Sequence, residues 1–441
     1  MARPASSRSH GRRRVRRTVG VGAVLAVAAS LLSACGGGSG KPTLTWYINP
    51  DSGDPTSAPA GQFGQPGIAN RCSTDAYTIT TQELPGDSTQ QRIQLARRLA
   101  AKDTGIDLMS LDPVFTGEFS DANFLLPIPQ SEAQQLSSGI FKGAVQAASW
   151  NKKLVVAPLW ANTQMLWYRK SFVQKAGLDM AKPVTWSQII DAASKNGGTV
   201  GVQANKYEGY VVWINALILG AGGNIVTDTA AGADANVTIN SPAGDDAEKV
   251  ISQLAHSKAA EPDLSVSNEG TVLGPFATSE GAFQVNWTFT YGNYATDKKT
   301  QQDIGWAPYP ETVAGKPSRP PFGGINIGIN KSTKYPSQAL AAIKCITSQQ
   351  NQIEYAVQTG NMPARAAAYD AKALKKVYPT ALLNAFRDSF HHAGPRPISP
   401  YWSDISSAVQ STWHPPSSVT SNTPPTSATF ITDILHGKAL L

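Results

Sequence analysis

Short apolar runs and helical patterns alternate along the chain after residue 42, and this alternation restricts the possible folds more than any other feature. Residues 44–48, 106–111 and 324–329 are apolar runs of strand length, whereas residues 210–219 and 337–347 carry apolar side chains at helical spacing. Strands that alternate with helices pair mainly in parallel. The sequence therefore predicts an α/β fold with mainly parallel sheets flanked by helices.

Local signals predict where some of these elements begin and end. Ser88 and Thr185 each begin a capping-box pattern, with an amide side chain three positions later, and each is expected to cap a helix. Pro158 is expected to end a strand at residues 154–157. Residues 411–427 are rich in Pro, Ser and Thr and are expected to form a loop or a surface segment.

The first 35 residues predict an export signal and not a part of the fold. Seven arginines within residues 1–17 precede an apolar run over residues 19–32. That run is shorter than the ~20 apolar residues that a membrane-spanning helix needs. Basic, apolar and small-residue segments in this order are typical of a secretory signal peptide. The pair Arg16 and Arg17 leaves open whether export follows the general secretory or the twin-arginine route.

The signal ends in Leu32-Ser33-Ala34-Cys35, which resembles the lipobox of bacterial lipoproteins. In that family of signals the cysteine becomes the lipidated first residue of the mature chain. Residues 36–42 are rich in Gly and Ser and predict a flexible linker. An acyl chain and a linker would hold an exported domain at the outer face of the cytoplasmic membrane. The alternative is a secretory signal in which a cysteine occurs by chance.

The formal net charge of +7 does not indicate a partner with the opposite charge. Seven arginines and no acidic residue lie before Cys35, so the charge of the mature chain is close to zero (7 − 7). Binding to nucleic acid needs a basic patch. The composition therefore excludes nucleic acid as a partner.

The length of the mature chain and its two cysteines limit the domain organisation. About 400 residues exceed what one hydrophobic core usually supports, so we expect two domains. Cys72 and Cys345 remain after Cys35. In an oxidising compartment they form one disulfide, or else they are two buried free thiols. No Cys/His spacing predicts a metal site, and no motif predicts a cofactor.

Asp112 follows the predicted strand at residues 106–111. In open α/β sheets, ligands bind beyond the carboxyl ends of the strands. A carboxylate in this position is therefore a candidate ligand contact. The alternative is that Asp112 only caps the turn that follows.

Several segments in the same order resemble the large extracellular solute-binding proteins of carbohydrate ABC transporters, of the maltose-binding type. They are APLWANTQMLWYRKSF (157–172), PVTWSQII (183–190), EGAFQVNWTF (280–289), GWAPYP (305–310) and FGGINIGINKST (322–333). Within that group, residues 91–119, 161–169, 202–215 and 396–402 are most similar to the trehalose-binding lipoproteins of mycobacterial trehalose-recycling transporters. The match is looser over residues 49–53 and 304–320.

The resemblance implies a two-lobed periplasmic-binding-protein fold, in which each lobe is a mainly parallel sheet flanked by helices and the ligand lies in the cleft between the lobes. Residues 43–160 with 325–378 would form lobe 1, and residues 161–324 with 379–441 would form lobe 2. Crossovers near residues 158–162 and 323–326 are the candidate hinges, and we expect the lobes to close around the ligand.

The resemblance also implies a set of ligand-binding residues and no catalytic ones. The set is Asn49, Asp112, Asn162, Glu269, Trp287, Gly324 and Arg396. A sugar needs matched hydrogen bonds for its hydroxyls, because a buried polar group without a partner costs ~1–3 kcal/mol. Carboxylates accept, Asn162 both donates and accepts, and Arg396 donates from a planar fork. A Gly324 N–H allows close approach, and Trp287 offers a flat face for stacking.

Three of these residues have a second interpretation from the sequence alone. Trp287 could belong to the core, Arg396 could be a surface charge in its Gly-Pro-Arg-Pro turn, and Glu269 could begin a solvated helix.

The function expected from the sequence is capture of a disaccharide, with trehalose favoured, for the permease subunits of an ABC importer. We expect a monomer, held at the membrane by its lipid and without enzymatic activity. The alternatives are another oligosaccharide or a glycerophosphodiester in the same fold, a lipid-anchored glycosidase that uses Asp112 and Glu269 as paired carboxylates, and a structural or adhesin lipoprotein.

Overall fold

Residues 40–440 are the part of the chain that the computed structural model describes. The predicted signal peptide, Cys35 and residues 36–39 of the predicted linker lie outside the described residues. The export route and the lipid anchor therefore stay predictions.

The strands of the described chain range from two to thirteen residues in length. In chain order β1 to β12 are Thr43–Ile48, Thr78–Glu83, Leu108–Leu111, Ser149–Trp150, Lys153–Leu154, Ala157–Arg169, Thr199–Gly201, Val226–Thr227, Asn236–Val237, Gly281–Trp287, Ile304–Ala307 and Phe322–Ile329.

The helices separate these strands and fill the C-terminal part of the chain. In chain order α1 to α18 are Gly64–Cys72, Ser88–Ala100, Thr116–Asp121, Gln130–Ser137, Lys142–Ala147, Lys170–Ala176, Trp186–Asn196, Glu208–Gly220, Pro242–Ala255, Leu273–Ala277, Thr290–Asn293, Lys298–Asp303, Pro336–Ile346, Gln349–Thr359, Lys372–Val377, Thr380–His392, Trp402–Trp413 and Thr423–Leu435.

The main sheet has the strand order β2-β1-β3-β12-β6-β10-β7, and β11 also pairs with β6. The pairs β1–β2, β1–β3 and β7–β10 are parallel. The pairs that involve β6 or β12 are antiparallel. The prediction of mainly parallel sheets is therefore wrong in this respect, and the sheet is mixed. The reason is that β6 and β12 run in opposite directions through its centre.

Strand β6 joins the two halves of the sheet. Its first part pairs with β12, from Ala157↔Ile327 to Thr163↔Phe322, and its second part pairs with β10 and β11. We expected Pro158 to end a strand, but the strand continues through it. The register of the β6–β12 pair shifts between Ile325 and Asn326, opposite Pro158. A bulge there accommodates a residue that has no N–H to donate.

Helices cover both halves of the sheet. Helix α1 packs on β2 and α13 on β12 in the first half, whereas α7 packs on β7 and α10 on β10 in the second. Cys72 at the end of α1 forms a disulfide with Cys345 in α13, across 273 residues of sequence. The predicted lobe limits 43–160 with 325–378 and 161–324 with 379–441 stay a prediction, because β6 runs unbroken across the first of them.

One local prediction from the sequence is wrong, and another is correct only in part. The cap of α2 is Asp87 and not Ser88, because the Asp87 carboxylate accepts from the Gln90 N–H at 2.9 Å. Residues 411–427 were expected to form a loop or a surface segment. Residues 414–422 do connect two helices, but the two ends of the segment belong to α17 and α18, which pack on each other. By contrast, the predicted capping box at Thr185 and Gln188 is present at the start of α7.

Glu261 is a buried acid outside the central sheet, between α9 and α10. Its side chain is 3% exposed, and neither carboxylate oxygen has a hydrogen-bond partner among the described residues. Burial, and then the nearby charge of Asp263, raise the pKa of Glu261 to about 8. The folded protein therefore holds a proton on Glu261 in neutral solution.

The variant Glu261→Gln tests whether Glu261 is protonated in the folded protein. Between about pH 4.5 and about 8 the folded state binds a proton that the unfolded chain has lost, so this group contributes less stability as the pH rises. We expect the unfolding free energy of the wild type to fall relative to that of Glu261→Gln, by at most ~1.4 kcal/mol per pH unit. Urea denaturation at pH 5, 6.5 and 8 measures the difference, with the exposed Glu280→Gln as control. Parallel pH profiles for wild type and Glu261→Gln would contradict the assignment.

Candidate ligand-binding site

A cleft of about 710 Å³ opens where the two halves of the sheet meet. Asn49 lies directly after β1, Asp112 directly after β3 and Trp287 at the end of β10. The cleft therefore lies at the carboxyl ends of strands, as expected for an open α/β sheet. All of the residues predicted to bind the ligand line this cleft: Asn49, Asp112, Asn162, Glu269, Trp287, Gly324 and Arg396.

Arg396 joins two acids on one wall of the cleft. Its Nη2 donates to Asp112 Oδ1 at 2.7 Å, and its Nη1 donates to Glu208 Oε1, also at 2.7 Å. The arginine is 6% exposed, so it is not the surface charge that its turn-like sequence allowed. Burial lowers the pKa of Arg396, but the two carboxylates outweigh this effect and the pKa is raised overall.

Asp112 fits both interpretations of its position. Its Oδ1 accepts from the Val114 N–H at 3.1 Å, which caps the short 3₁₀ turn Pro113–Phe115. The same oxygen accepts from Arg396. The carboxylate is therefore fixed at the end of β3 by its own backbone and by a cation.

Glu208 was not predicted from the sequence. It begins the apolar helix α8 and is 2% exposed. Besides Arg396, it accepts from Trp402 Nε1 at 2.9 Å and from the Ser406 hydroxyl. Burial raises the pKa of Glu208, and Arg396 opposes that rise. An acid in the first turn of a helix is ordinary, so the position of Glu208 at the start of an apolar helix did not reveal its role.

Glu269 also lines the cleft and accepts from the Tyr207 hydroxyl at 2.6 Å. Its main-chain carbonyl accepts from Asn286 Nδ2 at 2.9 Å, which ties the loop to β10. Glu269 is half-buried, and burial raises its pKa. It is therefore not at the start of a solvated helix, and Tyr207 is a second cleft residue that the sequence did not predict.

Trp287 is half-buried, so it is not a core residue. The end of its indole packs against Gly323, where a Cβ would lie 2.6 Å from the ring. Gly324 has a φ of +138°, and a Cβ there would lie 2.3 Å from the Trp160 carbonyl oxygen. The pair of glycines is therefore required by the close approach of β6, β12 and the indole. A ligand contact from the Gly324 N–H stays a prediction.

A chain of hydrogen bonds fixes the floor of the cleft. Asn162 donates to Asn361 Oδ1 at 3.3 Å, and Asn361 donates to Ser52 Oγ at 3.0 Å. The nearby Asp51 accepts from Tyr355 at 2.7 Å and from Gln65 at 2.8 Å. These amide and hydroxyl groups come from segments far apart in sequence, so the sequence predicted Asn162 but not its partners Asn361 and Ser52.

Hydrogen bonds from neighbouring side chains also hold Asn49 at the end of β1. Gln65 Nε2 donates to the Asn49 carbonyl at 2.8 Å, and the Gln65 Oε1 accepts from Ser110 Oγ at 2.7 Å. The Asn49 amide donates to the carbonyl of Pro50 at 3.2 Å. The backbone at Asn49 is therefore fixed from behind by side chains of α1 and β3.

The chain matches the model of the family described as "Bacterial extracellular solute-binding protein" over residues 54–353. It is also similar to a probable ABC transporter-binding protein of Deinococcus radiodurans, with 25% identity over 73% of this chain and 77% of that protein. This chain therefore belongs to the bacterial extracellular solute-binding protein family, whose members are binding proteins and not enzymes.

Solved structures show the same architecture. The maltose-bound MalE3 of T. maritima has a TM-score of 0.77 and 21% identity, over 89% of this chain and 100% of that one. The GacH receptor of Streptomyces glaucescens, solved unliganded and with acarbose, has a TM-score of 0.72 and 19% identity, over 90% and 98%. The predicted two-lobed fold with a cleft between the lobes is confirmed.

In residues 40–440, helix length and apolar character bear on membrane spanning, and side-chain placement bears on metal binding. None of the helices in this range combines the length and the apolar character that a membrane span requires. The same range contains no group of three or more His, Cys, Asp or Glu side chains placed to hold a metal ion.

The buried ion pairs of Arg396 can be tested by a double-mutant cycle. Arg396→Ala leaves Asp112 and Glu208 without their cation, and we expect it to lower the unfolding free energy by ~3–5 kcal/mol. Adding Glu208→Gln to Arg396→Ala should restore part of this loss, because it removes an unpaired buried charge. Urea denaturation measures all variants, and the exposed Arg97→Ala serves as control. A loss below ~1 kcal/mol for Arg396→Ala, as for a surface pair, would contradict the account.

Proposed function

We propose that the protein is the solute-binding lipoprotein of an ABC sugar importer and captures a disaccharide, with trehalose as the first candidate. The observation that supports this best is the composition of the cleft. The carboxylates of Asp112 and Glu269 are held in place by hydrogen bonds. They line the same cleft as the amide of Asn162 and the half-exposed indole of Trp287. Acceptors, an amide and a flat aromatic face are the groups that bind the hydroxyls and the C–H face of a sugar ring.

The names of similar structures support a polyhydroxylated ligand. Maltose is bound to the T. maritima protein, acarbose to the Streptomyces receptor, and D-mannitol to a related binding protein of Agrobacterium vitis. Trehalose is favoured by the resemblance of residues 91–119, 161–169, 202–215 and 396–402 to trehalose-binding lipoproteins. Another oligosaccharide in the same cleft is the alternative.

The remaining alternatives receive less support. A glycerophosphodiester would need cationic groups, and Arg396, the one arginine that lines the cleft among residues 40–440, is already paired with two acids. A glycosidase would need Asp112 and Glu269 as a catalytic pair, whereas each of them is held as an acceptor, by Arg396 and by Tyr207.

The proposal also includes where the protein is located and how it delivers the sugar to the permease. Export by the leader and acylation of Cys35 would place the protein as a monomer at the outer face of the cytoplasmic membrane. Closure of the lobes around the sugar would then present one composite surface to the permease subunits. The hinges would lie at residues 158–162 and 323–326, where β6 and β12 pair.

A thermal-shift screen of residues 36–441 tests the ligand class, because Lys41–Leu441 form one compact unit. The solutes are trehalose, maltose, sucrose, glucose and glycerophosphocholine. A ligand at 100 times its Kd stabilises the folded state by about 2.7 kcal/mol, so we expect trehalose to raise the Tm by several degrees. The shift should disappear in Asp112→Asn and Trp287→Ala and persist in Arg97→Ala.

The other outcomes of the screen are also decisive. A shift with a different sugar, and none with trehalose, would keep the class and reject trehalose. A shift with glycerophosphocholine alone, or with none of these solutes, would contradict sugar binding. Release of glucose from an incubated disaccharide would contradict a function restricted to binding.

A further inference from the structure

The charges that line the cleft are strongly unequal. Within the part of the chain that the structure describes, its lining has one basic side chain, Arg396, and five acidic ones: Asp51, Asp87, Asp112, Glu208 and Glu269. The lining residues all lie in the described part of the chain. Five acids and one guanidinium leave this space with more acidic than basic groups, and low-dielectric walls concentrate the field of the charges that line it.

Arg396 does not offset that excess for a ligand. Both of its terminal nitrogens donate to carboxylates, one to Glu208 and one to Asp112, at 2.7 Å each. The side chain is 5% exposed. A phosphate or carboxylate on a ligand would therefore have to compete with two acids that are already in place.

Glu269 and Asp87 form the part of the cleft with no counter-charge. Tyr207, a neutral donor, is the side chain that donates to Glu269 in the described chain. Asp87 caps α2 by accepting from the Gln90 N–H. Burial raises the pKa of Glu269, and the charges of Asp87 and Asp112 raise it further. Asp87 and Asp112 therefore repel a negative charge on Glu269. A cation bound between these acids would reduce that repulsion.

An ammonium group matches these acceptors in chemistry as well as in charge. It has three N–H donors and no acceptor, whereas an ionised carboxylate only accepts. A sugar hydroxyl that donates to Glu269 could therefore be replaced by a protonated amine with its hydrogen bond retained. A carboxylate or phosphate at the same place would face an acceptor with no proton to share.

We propose that the cleft selects sugars by charge: it accepts a disaccharide that carries a protonated amine in place of a hydroxyl, and it excludes uronic acids and sugar phosphates. This inference rests on the proposed function, because it concerns the same cleft. It adds amino sugars to the ligand class and removes anionic sugars from it.

The experiment compares three forms of one disaccharide by titration calorimetry with residues 36–441. The probes are the neutral disaccharide from the screen, its 6-amino-6-deoxy derivative and its 6-carboxyl derivative, at pH 7 in 20 mM and in 500 mM NaCl. We expect the amine to bind at least tenfold more tightly than the acid in 20 mM salt. That ratio should shrink severalfold in 500 mM salt, because salt screens the field of partly exposed charges.

Asp87→Asn is the matched variant, since asparagine caps a helix as well as aspartate does and only the charge is removed. We expect the affinity for the amine to fall about threefold relative to the affinity for the neutral disaccharide. A surface variant, Asp191→Asn, should change neither affinity.

The outcomes separate the two proposals. If the neutral disaccharide binds but the amine binds no better than the acid, or neither derivative binds, charge selection is wrong and the proposed function stands. If no disaccharide of any charge binds, the proposed function fails and this inference fails with it.

Discussion

The structure depends on one strand that belongs to both halves of the sheet. Strand β6 has thirteen residues, from Ala157 to Arg169, which is longer than most strands of globular proteins. Its first part pairs with β12 and its second part with β10 and β11. The two halves cannot separate without breaking this strand, so a change in their relative angle has to come from bending of β6 and β12. The cleft lies at this junction, with Asn162 on β6 and Gly324 on β12.

The electrostatics of the cleft follow from burial. A buried carboxylate is unfavourable unless it is hydrogen-bonded or paired. Glu208 and Asp112 share Arg396, Asp51 is held by neutral donors, and Glu269 has one tyrosine hydroxyl. Arg396 therefore stabilises the buried acids that line the cleft. Carboxylate oxygens remain in the cleft as hydrogen-bond acceptors. Such an arrangement suits neutral and cationic donors, which is why sugar binding and charge selection have a common origin.

Much of the fold could be predicted because local signals and tertiary structure agree. The predicted strand at residues 44–48 and the capping box at Thr185 correspond to β1 and to the start of α7. The prediction for Pro158 was wrong because its usual effect, the loss of a ladder hydrogen bond, is accommodated by a register shift between β6 and β12 that no local pattern reveals. The same limit applies to α17 and α18, whose Pro, Ser and Thr residues pack in helices through contacts that are distant in sequence.

The candidate site, like the fold, could be predicted only in part from the sequence. Asp112 could be placed because it follows a strand, and the family resemblance added Trp287, Glu269 and Arg396. Glu208 and Tyr207 could not be found, because an acid in the first turn of a helix is ordinary and only the fold brings Arg396 to it. The bond between Asn361 and Asn162 joins residues 199 positions apart. Contacts of that kind are a result of topology and leave no pattern in the sequence.

A crystal structure of residues 36–441 grown with a saturating disaccharide tests the central claim most directly. The account predicts one sugar in the cleft, with a ring stacked on Trp287 and hydroxyls within hydrogen-bond distance of Asp112 and Glu269. It also predicts that Arg396 stays paired with Glu208. An empty cleft, or a sugar bound elsewhere on the surface, would contradict the account.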